Sequence, residues 1–390
     1  MAKLEILIFL DYYLPGYKAG GPIRTLSNII DQLGNEFRFK IITRDRDAGD
    51  SVPYSGIMVN TWNSINKADV FYLSKQKFSL GILRRLIQSV NPDIIYLNSF
   101  FSPVFTIKPL FLRRLRLIPN IKVIVAPRGE FSLGALAIKS FKKYIYLAVA
   151  KMLGLYRGVV WQASSEYEKE DICHWFKDYD SVIVAPNLAS PFYRQKINLS
   201  NHRKVVGSLK IIFLSRVAKK KNLIGVLGML ERLNGKVLFN IYGPLEDKDY
   251  WVECRKIIKR LPNNIRVQYI GAVEHDQVEA VIKEHDLFFL PTLGENFGHV
   301  ILESLVTGCP VLISDQTPWR DLEEKGVGWD LPLNRREKFH EVLQRCIDMN
   351  EQEYNILSKR AHKFGLKTIE DKTALNLNRE LFYKAFYCSN

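Results

Sequence analysis

"DLFFLPTLGENFGHVILESLVTGCPVLIS", residues 286–314, reads as strand, loop, helix and strand in one short span. The run Leu287–Leu290 is continuously apolar, too short for a helix, and closed by Pro291. "GHVILESLVTG" has helical character and is ended by Gly308 with Pro310 behind it, after which "VLIS" is again a short apolar run. A strand, helix and strand joined this tightly form a βαβ crossover, so the two strands are parallel. The loop carrying Glu295, Asn296, Phe297 and Gly298 is then placed at the carboxyl end of a parallel strand, where open α/β sheets bind ligands.

The helix of this segment raises a question of charge. Val300, Ile301, Leu302, Leu305 and Val306 leave it almost no polar face, so Glu303, one turn in, is expected to be enclosed. An enclosed carboxylate is expensive unless something completes its hydrogen bonds. Either a neighbouring loop or basic residue does so, or a ligand does. Gly298 lets the backbone turn sharply into the helix, whose first N–H groups make a seat for phosphate or sugar oxygens.

Outward from this unit the same alternation fills the chain. Short apolar runs at 3–10, 37–44, 69–74, 92–98, 122–128, 158–164 and 181–186 are separated mostly by amphipathic stretches, and a second series follows at 209–215, 236–243, 265–271, 286–291 and 310–314. With 390 residues, 47% of them hydrophobic, the chain supports two cores. Residues 191–208 are polar, basic and aperiodic, which makes them the linker. The expected organisation is an N-terminal domain over 1–190, a C-terminal domain over 209–365, each doubly wound α/β with its own parallel sheet, and a final helical stretch over 366–390 that packs back on the first domain.

Composition narrows the partners. Lys and Arg total 56 against 41 Asp and Glu, a net charge of +15, which favours anionic partners. The five cysteines, Cys173, Cys254, Cys309, Cys346 and Cys388, have neither CxxC nor zinc spacing, so a reducing cytosol suits them better than a disulfide framework. The N-terminal apolar run is too short for a signal peptide, and no run reaches membrane-spanning length. No helix-turn-helix, zinc finger or RNP segment points to nucleic acid. Segments 79–90, 105–119 and 139–158 interleave Lys and Arg with Leu, Ile, Phe and Tyr. They read either as sheet-packing helices with basic outer faces or as contacts to an anionic membrane surface, so the expected place is the cytoplasm or the inner face of the cytoplasmic membrane.

"PTLGENFGHVILESLVTGCPVLISDQTPW" resembles the E-x7-E segment of the GT4 family, retaining group 1 glycosyltransferases of GT-B fold. That resemblance implies two Rossmann-like domains facing across a cleft, the donor held mostly by the C-terminal domain and the acceptor by the N-terminal one. It places Glu295 on the donor sugar, the amides of Asn296, Phe297 and Gly298 on sugar hydroxyls, and Glu303 on the ribose. "LSRVAKKKNL", 214–223, is similar to the family's GRLxxxKN motif, with Ser215 and Val217 as departures, and puts Arg216 and Lys221 on the pyrophosphate. Two cations there would stabilise a departing nucleoside diphosphate. Gly20 and Gly21 in "YYLPGYKAGGPIRTLSNII" match the Gly-rich loop that faces the donor phosphates, with Arg24 one helical step on, and Val273 falls in the loop beside the base. Arg128 stands in "VIVAPRGEF" where many relatives have His, so it and Arg24 are candidates for a sugar or acceptor site.

The implied reaction is transfer of a sugar from a UDP-, GDP- or ADP-linked donor to a saccharide or lipid-linked saccharide, with retention, in bacterial surface polysaccharide synthesis. No metal and no cofactor is expected. The pairs Asp45/Asp47, Asp178/Asp180 and Asp247/Asp249 have Asp-x-Asp spacing, but that pattern is common. A nucleotide-sugar epimerase on the same fold and a basic membrane-surface protein without catalysis are the alternatives.

Overall fold

The computed structural model describes residues 3–137, 140–176, 182–190 and 203–387. Most of the expected linker and the Asp178/Asp180 pair lie outside the described residues. The chain divides into two compact units, Met1–Ser190 with Lys372–Asn390, and Pro191–Asp371.

The first unit is built on strands β1 (Glu5–Phe9), β2 (Arg38–Arg44), β3 (Trp62–Ile65), β4 (Ala68–Leu73), β5 (Ile94–Leu97), β6 (Lys122–Val125), β7 (Val160–Ala163) and β8 (Val182–Val184), in the order β3-β4-β2-β1-β5-β6-β7-β8. Alternate residues feed two cores. Leu7, Phe9, Leu97, Val125 and Trp161 face one side, and Ile6, Ile8, Ile41, Tyr96 and Ile124 the other. Strands covered on both faces need no polar positions, which is why they read as unbroken apolar runs. The helix Thr373–Tyr387 completes the second core, with the ring of Phe382 5.2 Å from Phe37 and 5.6 Å from Tyr96. Arg379 fixes that helix by donating to both oxygens of Glu36, at 2.5 and 2.7 Å.

The second unit carries β9 (Ser208–Leu214), β10 (Lys236–Tyr242), β11 (Ile265–Gly271), β12 (Leu287–Leu290), β13 (Val311–Ser314) and β14 (Gly328–Leu331), ordered β11-β10-β9-β12-β13-β14 and parallel throughout. The expectation of a purely parallel sheet fails in the first unit, where β3 runs antiparallel to β4. Asn66, in left-handed conformation at φ 53°, turns the chain into that hairpin. β14 was not foreseen either; it is four residues long and holds an Asp, too little pattern to read.

Candidate active site

In the second unit the chain leaves β9 to one side, through β10 and β11, and returns to the other side with β12. The loops after β9 and β12 therefore flank a topological switch point, where helices run to opposite faces and leave a crevice. Backbone and side-chain bonds lock these loops together. Leu293 N donates to Lys220 O at 2.8 Å, Thr292 Oγ1 to the same oxygen at 3.1 Å, and Asn222 Nδ2 to Pro291 O at 2.9 Å.

This lacing brings Lys221 and Glu295 into contact, and Lys221 Nζ donates to Glu295 Oε2. Lys221 is only 8% exposed. Burial alone would push the Glu295 carboxyl up, but the Lys221 ammonium overcomes it through charge and hydrogen bond, aided by Lys220 and the Asn296 N–H, and holds it below the usual carboxylate range. The contact thus fixes an ammonium against a carboxylate where the loops after β9 and β12 meet. The peptide N–H of Glu295 is itself anchored to Gln316 O at 2.9 Å.

Gly298 opens the helix His299–Val306 at φ 75°. A Cβ there would lie 2.6 Å from Ile301 Cδ1 and 3.1 Å from Glu295 Cγ, so a side chain would press on both and strain a positive φ that glycine adopts freely. Trp319 Nε1 donates to Phe297 O at 2.5 Å and holds the loop from the other side. Gly298→Ala is expected to cost about 1–3 kcal/mol, from strained backbone conformation, seen as a lower midpoint in chemical denaturation. Glu303 is enclosed as expected: it is 3% exposed, between Ile301, Leu302, Leu305 and Val306, all buried.

Arg216 departs from the simplest expectation. Its guanidinium is paired with Glu246 in the loop after β10, and both side chains are well exposed. A surface ion pair of this kind is worth little, so the guanidinium exchanges partners at low cost. Val273 sits half-buried beyond the end of β11. Glu246 and Trp319 were missing from the sequence reading. Trp319 closes the quoted segment 291–319 and Glu246 follows the run 236–243, but nothing in their spacing marks them.

In the first unit, Gly20 has φ 74° and ψ −128°, a conformation open to glycine, and precedes the helix Gly21–Leu33. Beside it, a Cβ on Gly21 would meet nothing within 4 Å. Arg24 lies in the first turn of that helix, half-buried. Asp47 accepts from Tyr17 N at 2.8 Å and Lys18 N at 3.0 Å, so it staples the glycine loop, while Asp45 takes the guanidinium of Arg46. Asp247 caps the helix Lys248–Ile258 by accepting from Tyr250 N at 2.9 Å. These carboxylates serve local structure, and among the described residues no group of three or more His, Cys, Asp or Glu is placed to hold a metal ion.

Arg128 follows β6 with φ 57°. Its guanidinium is engaged by its own unit: Nη1 donates to Asn187 Oδ1 at 2.8 Å, Nη2 to Tyr96 Oη and Asn98 Oδ1 at 2.6 Å each, and Nε to Asn98 Oδ1 at 3.1 Å. It ties together the segments that follow β5, β6 and β8. Four of its five donors are used, which makes it a brace for those loops in this structure.

Residues 195–364 match the model of the family described as glycosyl transferases group 1. An uncharacterized 41.2 kDa protein in the cps region of Klebsiella pneumoniae is 25% identical over 228 residues, 57% of this chain and 60% of that protein. An uncharacterized glycosyltransferase of Methanocaldococcus jannaschii is 29% identical over 160 residues, 37% of this chain and 40% of its own length. The chain thus spans about half the length of these curated relatives. The crystal structure of Anabaena HepE in complex with UDP and glucose superposes with a TM-score of 0.70 at 18% identity, covering 98% of this chain and 99% of that one. Two doubly wound α/β units with this likeness make the fold GT-B.

Proposed function

We propose that this chain, whose residues 195–364 belong to the glycosyl transferases group 1 family, transfers a sugar from a nucleoside-diphosphate donor to a saccharide or lipid-linked saccharide, with retention of configuration. The observation that carries this reading is the contact of Lys221 with Glu295 at the switch point of the second unit. Glu295 takes hydroxyls of the donor sugar, and the amides from Asn296 to Gly298 add to its grip. Lys221, held against that same carboxylate, stands where the bond between sugar and phosphate breaks. Arg216 leaves Glu246 for the diphosphate, Glu303 takes the ribose hydroxyls, and Val273 lies beside the base.

As the bond to the phosphate lengthens, negative charge grows on the leaving diphosphate, and the two cations, Lys221 and Arg216, stabilise it more than they stabilise the intact donor. The acceptor hydroxyl attacks from the face the phosphate is leaving, and a phosphate oxygen takes its proton. This scheme routes no step through a metal ion, so transfer is expected to proceed unchanged in EDTA. Because the relative from Klebsiella belongs to a cps region, surface polysaccharide is the proposed setting.

Thermal unfolding with a panel of UDP-, GDP- and ADP-sugars tests the reading. A donor at a hundred times its Kd should add about 2.7 kcal/mol of stability, and no stabilisation by any of the panel would overturn it. Gly20 and Gly21 are further proposed phosphate contacts. Since a Cβ on Gly21 meets nothing, Gly21→Ala should leave stability within about 1 kcal/mol of wild type while raising the KM for the donor several-fold. An unchanged KM would remove that residue from the site.

A further inference from the structure

The outer face of the helix Ser140–Met152 is apolar where a solvated helix would be polar. Phe141, Ile145, Val149 and Met152 recur at helical spacing along it, with Phe141 76% and Met152 78% exposed, and Tyr144 beside them. The inner face is apolar as well, burying Leu147 and Ala150. Among the described residues only the inner of its two apolar faces is covered. The stripe continues past its end into Leu153, and then onto the end of the helix Lys108–Arg114. There Arg114 Nε donates to Leu153 O at 2.9 Å, Arg113 Nη1 to Arg157 O at 2.8 Å, and Leu115 and Leu117 are exposed.

Charge identifies what covers this surface. Between Asp93 and Glu166 the sequence holds eleven Lys and Arg and a single acid, Glu130. That acid is turned inward, accepting from Ser99 Oγ at 2.9 Å and from Phe101 N at 3.2 Å. Among the described residues no carboxylate is ion-paired with Arg113, Arg114, Arg116, Lys142, Lys151 or Arg157. Exposed aromatic and aliphatic side chains interleaved with cations match the boundary of an anionic bilayer, with acyl chains beneath and phosphates at the level of the cations. No helix among the described residues is long and apolar enough to cross a membrane, so attachment by this face would be at the surface.

We propose that the helix Ser140–Met152, with the adjoining end of the helix Lys108–Arg114, seats this protein on an anionic lipid surface. The seat excludes segment 79–90, one of three that read alike in the sequence. Its helix Leu80–Val90 turns Leu83 and Ile87 into the core and leaves no large hydrophobic side chain exposed.

Flotation of the full chain with vesicles tests this without donor or acceptor, so its failure leaves the sugar-transfer reading untouched. The chain should float with phosphatidylcholine vesicles containing phosphatidylglycerol, and should stay at the bottom with phosphatidylcholine alone. The double variant Ile145→Asp, Met152→Asp, and separately Arg114→Glu, Arg116→Glu, should each lower the vesicle partition coefficient on the order of tenfold or more. Both pairs are exposed, and unchanged circular dichroism melting would confirm folded variants. Absence of flotation with the anionic vesicles, or flotation that neither variant weakens, overturns the proposal. So does sedimentation showing a dimer that both variants disperse while vesicles bind nothing, which would make the face a seat for a second copy.

Discussion

Lys221→Ala is expected to lower kcat for sugar transfer by about 10²–10³-fold, the loss seen when one preorganised charge partner of a transition state is removed. The same substitution also harms the fold, because Glu295 keeps its partial burial and loses the ammonium that offsets it. Leaving such a group without its partner costs roughly 1–3 kcal/mol. The sign of the pH dependence follows from Glu295. Its carboxyl lies below the ordinary range in the folded protein, so the pair contributes stability above that range and loses it as pH falls through the lowered value. In Lys221→Ala burial is opposed only by Lys220 and the Asn296 N–H, so the carboxyl moves up and the fold is destabilised most at neutral pH. The stability gap between wild type and variant should therefore be full near pH 7 and close in acid, as followed by denaturant midpoints. Glu295→Gln in the Lys221→Ala background separates the two effects. It should restore much of the stability and none of the turnover. A double variant that transfers sugar like wild type would remove both residues from the reaction centre.

What was legible in the sequence is what local chemistry dictates. Strands covered on both faces show as apolar runs, and a glycine that must adopt positive φ beside a helix start shows as Gly298. Both allowed the loop after β12 to be placed at a ligand-binding edge. The contact between Lys221 and Glu295 was not legible, because it exists only through the pairing of β9 with β12, strands separated by two others in the chain. Arg128 illustrates the converse. Its position at a strand end was readable, but the side-chain oxygen Oδ1 of Asn98 and the hydroxyl of Tyr96 that take its guanidinium come from β5 and the residue after it, and no periodicity encodes that meeting. The basic, apolar segments show the same limit. Sequence gives each helix its residues, and only packing decides which of its faces is left over.

Glu303 gives the sharper test of the donor assignment, since it separates binding from bracing. Glu303→Gln keeps the size and most of the hydrogen-bonding capacity of a buried side chain and removes its charge, so the apo protein should keep its unfolding free energy within about 1.5 kcal/mol of wild type. Donor binding should suffer instead. Hydrogen bonds from ribose hydroxyls to a charged acceptor are worth about 1.5–3 kcal/mol, which corresponds to roughly a 10- to 100-fold higher Kd by calorimetry. If the carboxylate only braces the loop, the result inverts, with a lower midpoint and an unchanged Kd. A donor analogue lacking the 2′ and 3′ hydroxyls completes the cycle. It should bind wild type as weakly as the natural donor binds Glu303→Gln, and the substitution should then cost nothing further, because the two changes delete the same interaction.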